Sequence, residues 1–253
     1  MKKYFFISVI FSVVINIAVG EIKNGYTSGV KDAIESLKSL QGLRTNNDLT
    51  PYLKRKIKVR IQTLMDFIAY HELTDNLLNQ FRMTSPELYA QVDSIRDVSG
   101  RPTDVFVKFI PPEESKIMAA GITSIGQAEQ DKNLPVSEYG EGTVSVKIWI
   151  VNEALYALSH EFGHVNYVIP NLARYVGFYR ANYPACDTEE NFIGHNQNDL
   201  SGKNAFEFEK TFRKDCLASF NRTERVKNPL DLVINIRRRI HQEMAFLYQV
   251  AAL

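Results

Sequence analysis

The clearest chemical pattern in the sequence is formed by two histidines and a glutamate. His160, Glu161 and His164 fit the pattern H-E-x-x-H. Side chains four residues apart project from the same face of an α-helix, so both imidazoles can bind one metal ion. The glutamate can then reach a water molecule on that metal. This spacing predicts a metal site in which Glu161 lies within reach of the bound water.

A helical projection places both histidines opposite an apolar stripe. Glu153 and Ala157 share the histidine face, and Glu161 lies at the edge between the two faces. A histidine with a purely structural role would be expected inside the stripe, so the helix is predicted to bury one face and present both histidines on the other. A surface pair that binds no metal is the alternative. The stripe consists of Leu155, Leu158, Phe162, Val165 and Ile169.

Residues 144–165 resemble the zincins, which are zinc metallopeptidases in which a sheet strand precedes the motif helix. The resemblance implies that His160 and His164 bind Zn2+ and that Glu161 acts on the zinc-bound water. The metzincin subclass would need glycine and histidine at the positions of Tyr167 and Pro170, so it is excluded. A gluzincin-like site remains, although no Glu followed four residues later by Asp occurs in the fifty residues after the motif.

A catalytic zinc ion normally has three protein ligands and one open position for water. Glu209 is the first candidate for the third ligand because it falls on the buried face of a helix predicted over residues 199–216, whereas Glu207 points away. A carboxylate on an apolar face is costly unless it is paired or bound to a metal. An ion pair with Arg213 or Arg180 is the alternative. The buried face is formed by Ala205, Phe208, Phe212 and Cys216.

His195 is the alternative third ligand. It follows Gly194 in a polar stretch between the motif and Glu209. If it is not a ligand, it could donate a hydrogen bond to a developing oxyanion. His71 and His241 lie on predicted helices and are interpreted as ordinary surface or core residues.

The chain contains only two cysteines, Cys186 and Cys216. In an oxidising compartment such a pair is predicted to form a disulfide, which would tie the loop containing His195 to the end of the Glu209 helix. Two buried thiols are the alternative.

Two strands are predicted before the motif helix. Residues 104–110 alternate valine and phenylalanine with other side chains, and residues 143–150 alternate valine and isoleucine. The intervening residues 111–142 are rich in glycine and small polar residues and are predicted to be partly irregular. The motif helix is predicted from about Glu153, with Asn152 as its N-cap. If residues 143–150 form the sheet edge, as in zincins, a peptide could bind there as an extra strand.

Residues 29–99 have a helical pattern with breaks near 45–48 and 84–86. A basic cluster lies largely opposite the apolar face of this region and is interpreted as a solvated face rather than a nucleic-acid site. The architecture is therefore predicted to be α+β, mostly helical, with a small sheet packed on the motif helix. The basic cluster consists of Lys54, Arg55, Lys56, Lys58 and Arg60.

The first twenty residues have the features of a secretory signal. Lys2 and Lys3 precede a nearly uncharged apolar run, and small residues precede a predicted cut before Glu21. The run is too short to span a bilayer, so no stable membrane span is expected after cleavage. The predicted organisation is a signal peptide over 1–20, a helical N-terminal region over 21–99 and a zincin-like catalytic domain over 100–253.

The composition is that of an ordinary folded protein, with 45% hydrophobic and 23% charged residues. A formal charge of +1 gives the whole chain no strong field, so no nucleic-acid partner is expected. The sequence thus predicts an exported, periplasmic or extracellular zinc metallopeptidase that hydrolyses a peptide or protein substrate. The alternative is an exported binding or scaffold protein with a structural or vestigial zinc site.

Overall fold

The computed structural model describes residues 20–44, 48–111, 120–126, 136–150, 153–182 and 199–219, with 234–236, 238, 239 and 242 near the C-terminus. The signal peptide, apart from Gly20, lies outside the described residues. The same holds for Asn152, Cys186, His195 and His241. Predictions that concern these residues therefore stay predictions.

The N-terminal region predicted as helical begins with a short strand, β1 (Ile22–Asn24), and is otherwise mostly helical, with helices that end at the predicted breaks. Helix α1 (Thr27–Arg44) packs against the long helix α2 (Pro51–Thr84), and the two form a helical hairpin. Thr50 caps α2, because its hydroxyl oxygen accepts a hydrogen bond from the backbone N–H of Leu53 at 3.3 Å. A short helix α3 (Pro86–Asp93) follows directly.

A four-stranded sheet has the order β1-β2-β4-β3. Strands β2 and β4 confirm the two predicted strands, and both β1 and β4 pair with β2 in parallel. The strands are β1 (Ile22–Asn24), β2 (Asp104–Ile110), β3 (Gly121–Ile125) and β4 (Thr143–Trp149).

The expectation that residues 143–150 lie at the sheet edge is wrong. Strand β3 pairs with β4 in antiparallel orientation, with Thr123 opposite Val146, so β4 is internal and β3 is an edge strand. This strand lies in the segment predicted to be partly irregular. Its sequence, GITSI, is short and contains glycine and two hydroxyl residues, and it becomes a strand by pairing with β4.

The motif lies on helix α4 (Ala154–Val168), which contacts β3 and β4. The five residues of the predicted apolar stripe are all buried, which confirms the orientation of the helix. A short 3-10 turn (Ile169–Asn171) and helix α5 (Leu172–Asn182) follow, and helix α6 (Leu200–Ser219) packs on α4.

The structure confirms a mixed α and β fold that is mostly helical and has a small sheet. One hydrophobic core contains side chains from α1 to α4, from β2 to β4 and from α6. The N-terminal helices therefore share a core with the segment that carries the motif. No helix among the described residues is both long and apolar enough to cross a bilayer.

Candidate metal centre

The two helices that form the site approach each other closely at Gly163. A Cβ atom on Gly163 would lie 2.5 Å from the Cα atom of Ala205, so only glycine allows this separation of α4 and α6. The side-chain amide of Asn204 donates a hydrogen bond of 2.7 Å to the carbonyl oxygen of Gly163. This crossing places side chains of α6 beside the histidine face of α4.

His160 and His164 lie side by side, with ring centroids 5.0 Å apart and ring planes at 77°. The Nδ1 atom of His160 lies 3.4 Å from a carboxylate oxygen of Glu209. The Nδ1 atom of His164 lies 2.8 Å from the hydroxyl oxygen of Ser201, a buried residue in the first turn of α6. Both rings therefore direct Nδ1 at a polar side chain of α6.

Glu209 lies beside the histidines, as predicted, and its carboxylate is shared between two partners. One oxygen faces His160, and the other accepts hydrogen bonds from Arg213 Nε at 3.0 Å and Nη2 at 2.7 Å. This hydrogen-bonded carboxylate raises the pKa of Arg213. The guanidinium group also lies 4.1 Å from the ring centroid of Tyr156. The ion pair with Arg213, the predicted alternative to metal binding, is thus present, while Glu207 is exposed and lies near Lys210.

The side chain of Glu161 lies against the edge strand β3. It is only 7% exposed, and the hydroxyl of Thr123 donates a hydrogen bond of 2.6 Å to its Oε2 atom. A Cβ atom on Gly121 would lie 2.8 Å from Glu161 Cγ, so glycine in β3 makes room for the side chain. Sequence reasoning missed Thr123, because nothing local to its segment signals that β3 passes the motif.

An exposed aromatic ring borders the histidines. Phe206, on α6, is 55% exposed, and its ring centroid lies 5.0 Å from that of His160. Sequence reasoning missed Phe206 too. It lies between a buried alanine and an exposed glutamate, and it belongs to no motif that would single it out.

The predicted disulfide between Cys186 and Cys216 stays a prediction, because only Cys216 is described. Cys216 is a free thiol on the buried face of α6, and Cys186 lies outside the described residues. Burial raises the pKa of Cys216, against the opposing effect of a hydrogen bond with Tyr156. The thiol is thus packed as a small core side chain against α4, which corresponds to the alternative given for this cysteine.

Within the described ranges, no cluster of three or more His, Cys, Asp or Glu side chains has an arrangement that could hold a metal ion. The carboxylate of Glu209 faces the Nδ1 atom of His160 and the guanidinium group of Arg213. The described residues therefore supply two candidate ligands, His160 and His164. The other candidate for the third position, His195, lies outside them.

The arrangement offers two imidazoles and one buried carboxylate on neighbouring sides of α4. The imidazoles can bind a cation, and the carboxylate of Glu161 can accept and return a proton. No protein-family model, curated protein or solved structure matches this chain.

Proposed function

We propose that this protein is a zinc-dependent peptidase whose metal is held by His160 and His164. The observation that carries the proposal is the orientation of the two rings. Metal-ligating histidines almost always direct their other ring nitrogen at a carboxylate, a carbonyl or a water molecule. Here both Nδ1 atoms already face polar side chains of α6, at 3.4 Å and 2.8 Å.

This orientation gives the Nε2 atoms the ligand role and Glu209 a positioning role. Its carboxylate fixes the ring of His160, and Arg213 holds the carboxylate in place by two hydrogen bonds. To become the third ligand, the carboxylate would have to give up its contact with the Nδ1 atom of His160. His195, the alternative from the sequence, is therefore the preferred third ligand.

A bound zinc ion would supply a Lewis acid that acidifies water and polarises a carbonyl group. Glu161 takes the proton from the attacking water and passes it to the leaving amine. The hydroxyl of Thr123 holds one oxygen of this carboxylate against β3. Because Glu161 is buried, its carboxylate is shielded from bulk water and is held between β3 and α4.

The zincin-like part of the proposal rests on the position of β3. This edge strand runs antiparallel to β4 and passes beside Glu161, so an extended peptide that pairs with it would place a carbonyl near the histidines. The exposed ring of Phe206 offers an apolar contact beside His160. The substrate class is thus an extended peptide or an unfolded protein segment.

The first test is the metal content of the chain from Glu21 onward, which contains every described helix and strand. After equilibrium dialysis against zinc, we expect about one zinc ion per chain, lost in the variants His160→Ala and His164→Ala. His71→Ala is the matched control, because His71 lies on α2 beside Asp75. Failure of the unmutated chain to retain zinc would overturn the proposal and favour an exported binding protein.

The second test separates catalysis from a structural zinc site. Glu161→Gln should retain zinc but lower the rate of peptide hydrolysis by about 10²- to 10⁴-fold. The assay follows cleavage of a mixed peptide library by mass spectrometry. Zinc retention without cleavage in the unmutated chain would instead support a scaffold with a structural or vestigial site.

The role of Glu209 is tested by zinc affinity rather than by rate. As a positioning residue, Glu209→Gln should weaken zinc binding by about 10- to 100-fold and still reach full occupancy at high zinc concentration. His195→Ala should lose the site more severely. If Glu209→Gln instead lost zinc more severely than His195→Ala, Glu209 would be the third ligand.

A further inference from the structure

The start of α2 is the most exposed part of the helical hairpin. We call residues 51–60 the basic tip. Every residue of the basic tip is exposed except Ile57, which is partly buried. No acidic residue occurs between Asp48 and Asp66 along the chain. The charged side chains of the basic tip are Lys54, Arg55, Lys56, Lys58 and Arg60.

The part of the hairpin that contains the basic tip differs in charge from the rest of the protein. Residues 27–63 contain eight basic and three acidic side chains, a net charge of +5, against +1 for the entire chain. All other residues together are therefore net acidic. A local excess of basic charge of this kind attracts an anionic surface.

Apolar side chains lie among the basic ones on the outer face of the helix. Tyr52, Lys56 and Val59 are spaced by four and three residues and thus share one face, opposite the buried Ile61. Tyr52 is 64% exposed and Val59 is 61% exposed. The ammonium group of Lys56 lies 4.7 Å from the ring centroid of Tyr52.

This combination suits a lipid surface better than a nucleic-acid backbone. Tyrosine is enriched at membrane interfaces, and an interfacial helix combines apolar side chains with flanking Lys and Arg. Phosphates of a nucleic-acid backbone would pair with the basic residues but would leave Tyr52 and Val59 in water. We propose that the basic tip binds the surface of an anionic lipid bilayer and attaches the protein to it peripherally.

The test is co-sedimentation of the chain from Glu21 onward with vesicles. One set contains phosphatidylcholine alone, and the other an equimolar mixture with phosphatidylglycerol. Binding should occur only to the mixed vesicles and should weaken as salt screens the charges. The triple variant Arg55→Gln, Lys56→Gln, Lys58→Gln should bind on the order of 100-fold more weakly, because each basic residue near the surface contributes comparably.

A matched variant removes the same charge elsewhere. Lys203→Gln, Lys210→Gln, Lys214→Gln changes three exposed lysines of α6 and should bind like the unmutated chain. The double variant Tyr52→Ser, Val59→Ser keeps the charge and should bind at least several-fold more weakly if these side chains enter the interface. Circular dichroism checks that each variant is folded.

Three results would overturn the proposal. The first is equal loss of binding in both triple variants, which would indicate a non-specific charge effect. The second is unchanged binding of the Tyr52 and Val59 variant, which would mean that the tip does not enter the interface. The third is a lack of vesicle binding while a DNA oligonucleotide binds through the same three basic residues, which would make the tip a nucleic-acid surface.

Discussion

Helices α4 and α6 enclose their polar side chains, whereas the first turns of α2 expose theirs to solvent. Beside α4, the side chains of Ser201, Glu209 and Thr123 each contact an atom of the H-E-x-x-H motif. On the basic tip, the charged groups lie in water, and the helix is held by Ile57 and Ile61 on the opposite face. The two regions are both amphipathic helices, but their polar faces have different surroundings.

The difference follows from the cost of burial. A polar group taken out of water must find a partner, so the histidine face of α4 fixes which residues of α6 and β3 stand opposite it. A solvated basic face imposes no such requirement on its neighbours. Substitutions near α4 should therefore disturb the fold and the site together, and equivalent substitutions on the hairpin should leave the fold intact.

The largest difference in stability between the two regions is expected when a side chain of each is shortened to alanine, at Phe212 and at Val59. This side chain is fully buried on α6 and stacks on Phe81 with ring centroids 4.5 Å apart. Phe212→Ala should lower the free energy of unfolding by about 3–5 kcal/mol, measured by urea denaturation. Val59→Ala, on the exposed outer face of α2, should change it by less than about 0.5 kcal/mol. Similar small values for both would mean that α6 is not part of the core.

A smaller effect is expected from adding one methyl group at each helix pair. Gly163→Ala places a Cβ atom against the backbone of Ala205 and should lower the free energy of unfolding by about 1–3 kcal/mol. Gly42→Ala, in α1, meets no atom within 4 Å and should raise it by up to about 1 kcal/mol through helix propensity. Stabilisation by both substitutions would show that α4 and α6 are further apart than described.

Removal of one hydroxyl group from each region should produce a still smaller difference in the free energy of unfolding. Ser201→Ala leaves the Nδ1 atom of His164 without its partner and should cost about 1–2 kcal/mol of unfolding free energy. Thr63→Ala removes an exposed hydroxyl that donates to the carbonyl oxygen of Val59 at 3.1 Å and should cost less than about 0.5 kcal/mol. Equal costs would argue against a fixed orientation of the His164 ring.

The last prediction concerns reactivity rather than stability. Burial raises the pKa of Cys216. Near pH 8, the thiolate fraction of Cys216 is therefore smaller than that of an exposed cysteine. Alkylation of Cys216 in the native protein should be slow and should accelerate as pH rises or the protein unfolds, followed by peptide mass spectrometry. A cysteine introduced by Val59→Cys should react rapidly. A Cys216 that stays unreactive after unfolding without reductant would indicate a disulfide after all.

Much of the site could be predicted because its signals are local. The three-residue and four-residue spacing of apolar side chains correctly oriented α4, and the same argument identified the buried face of α6. Alternation over residues 104–110 and 143–150 located two strands to within one residue. Each of these signals is carried by residues close together in the chain, where helix and strand geometry alone determine which side chains share a face.

What the sequence left open depends on contacts between distant segments. A helical projection places Glu209 on the apolar face of α6 but cannot name its contacts. The structure has its carboxylate at the Nδ1 atom of His160, with Arg213 as the second partner. Strands β1 and β3 were missed, and β4 was considered as an edge strand, because strand order is set by pairing between segments rather than by the pattern within one.

The sequence by itself determined the chemistry of this protein: two histidines and a glutamate on one helix, with an apolar face to bury it. The tertiary structure decided the setting of that chemistry, through the approach of α6 at Gly163 and of β3 at Gly121. It also left the basic tip exposed with Tyr52 and Val59 outward. The physical reason is that sequence periodicity fixes which side chains share a face of one helix or strand. The need of buried polar groups for partners fixes how closely separate elements approach each other.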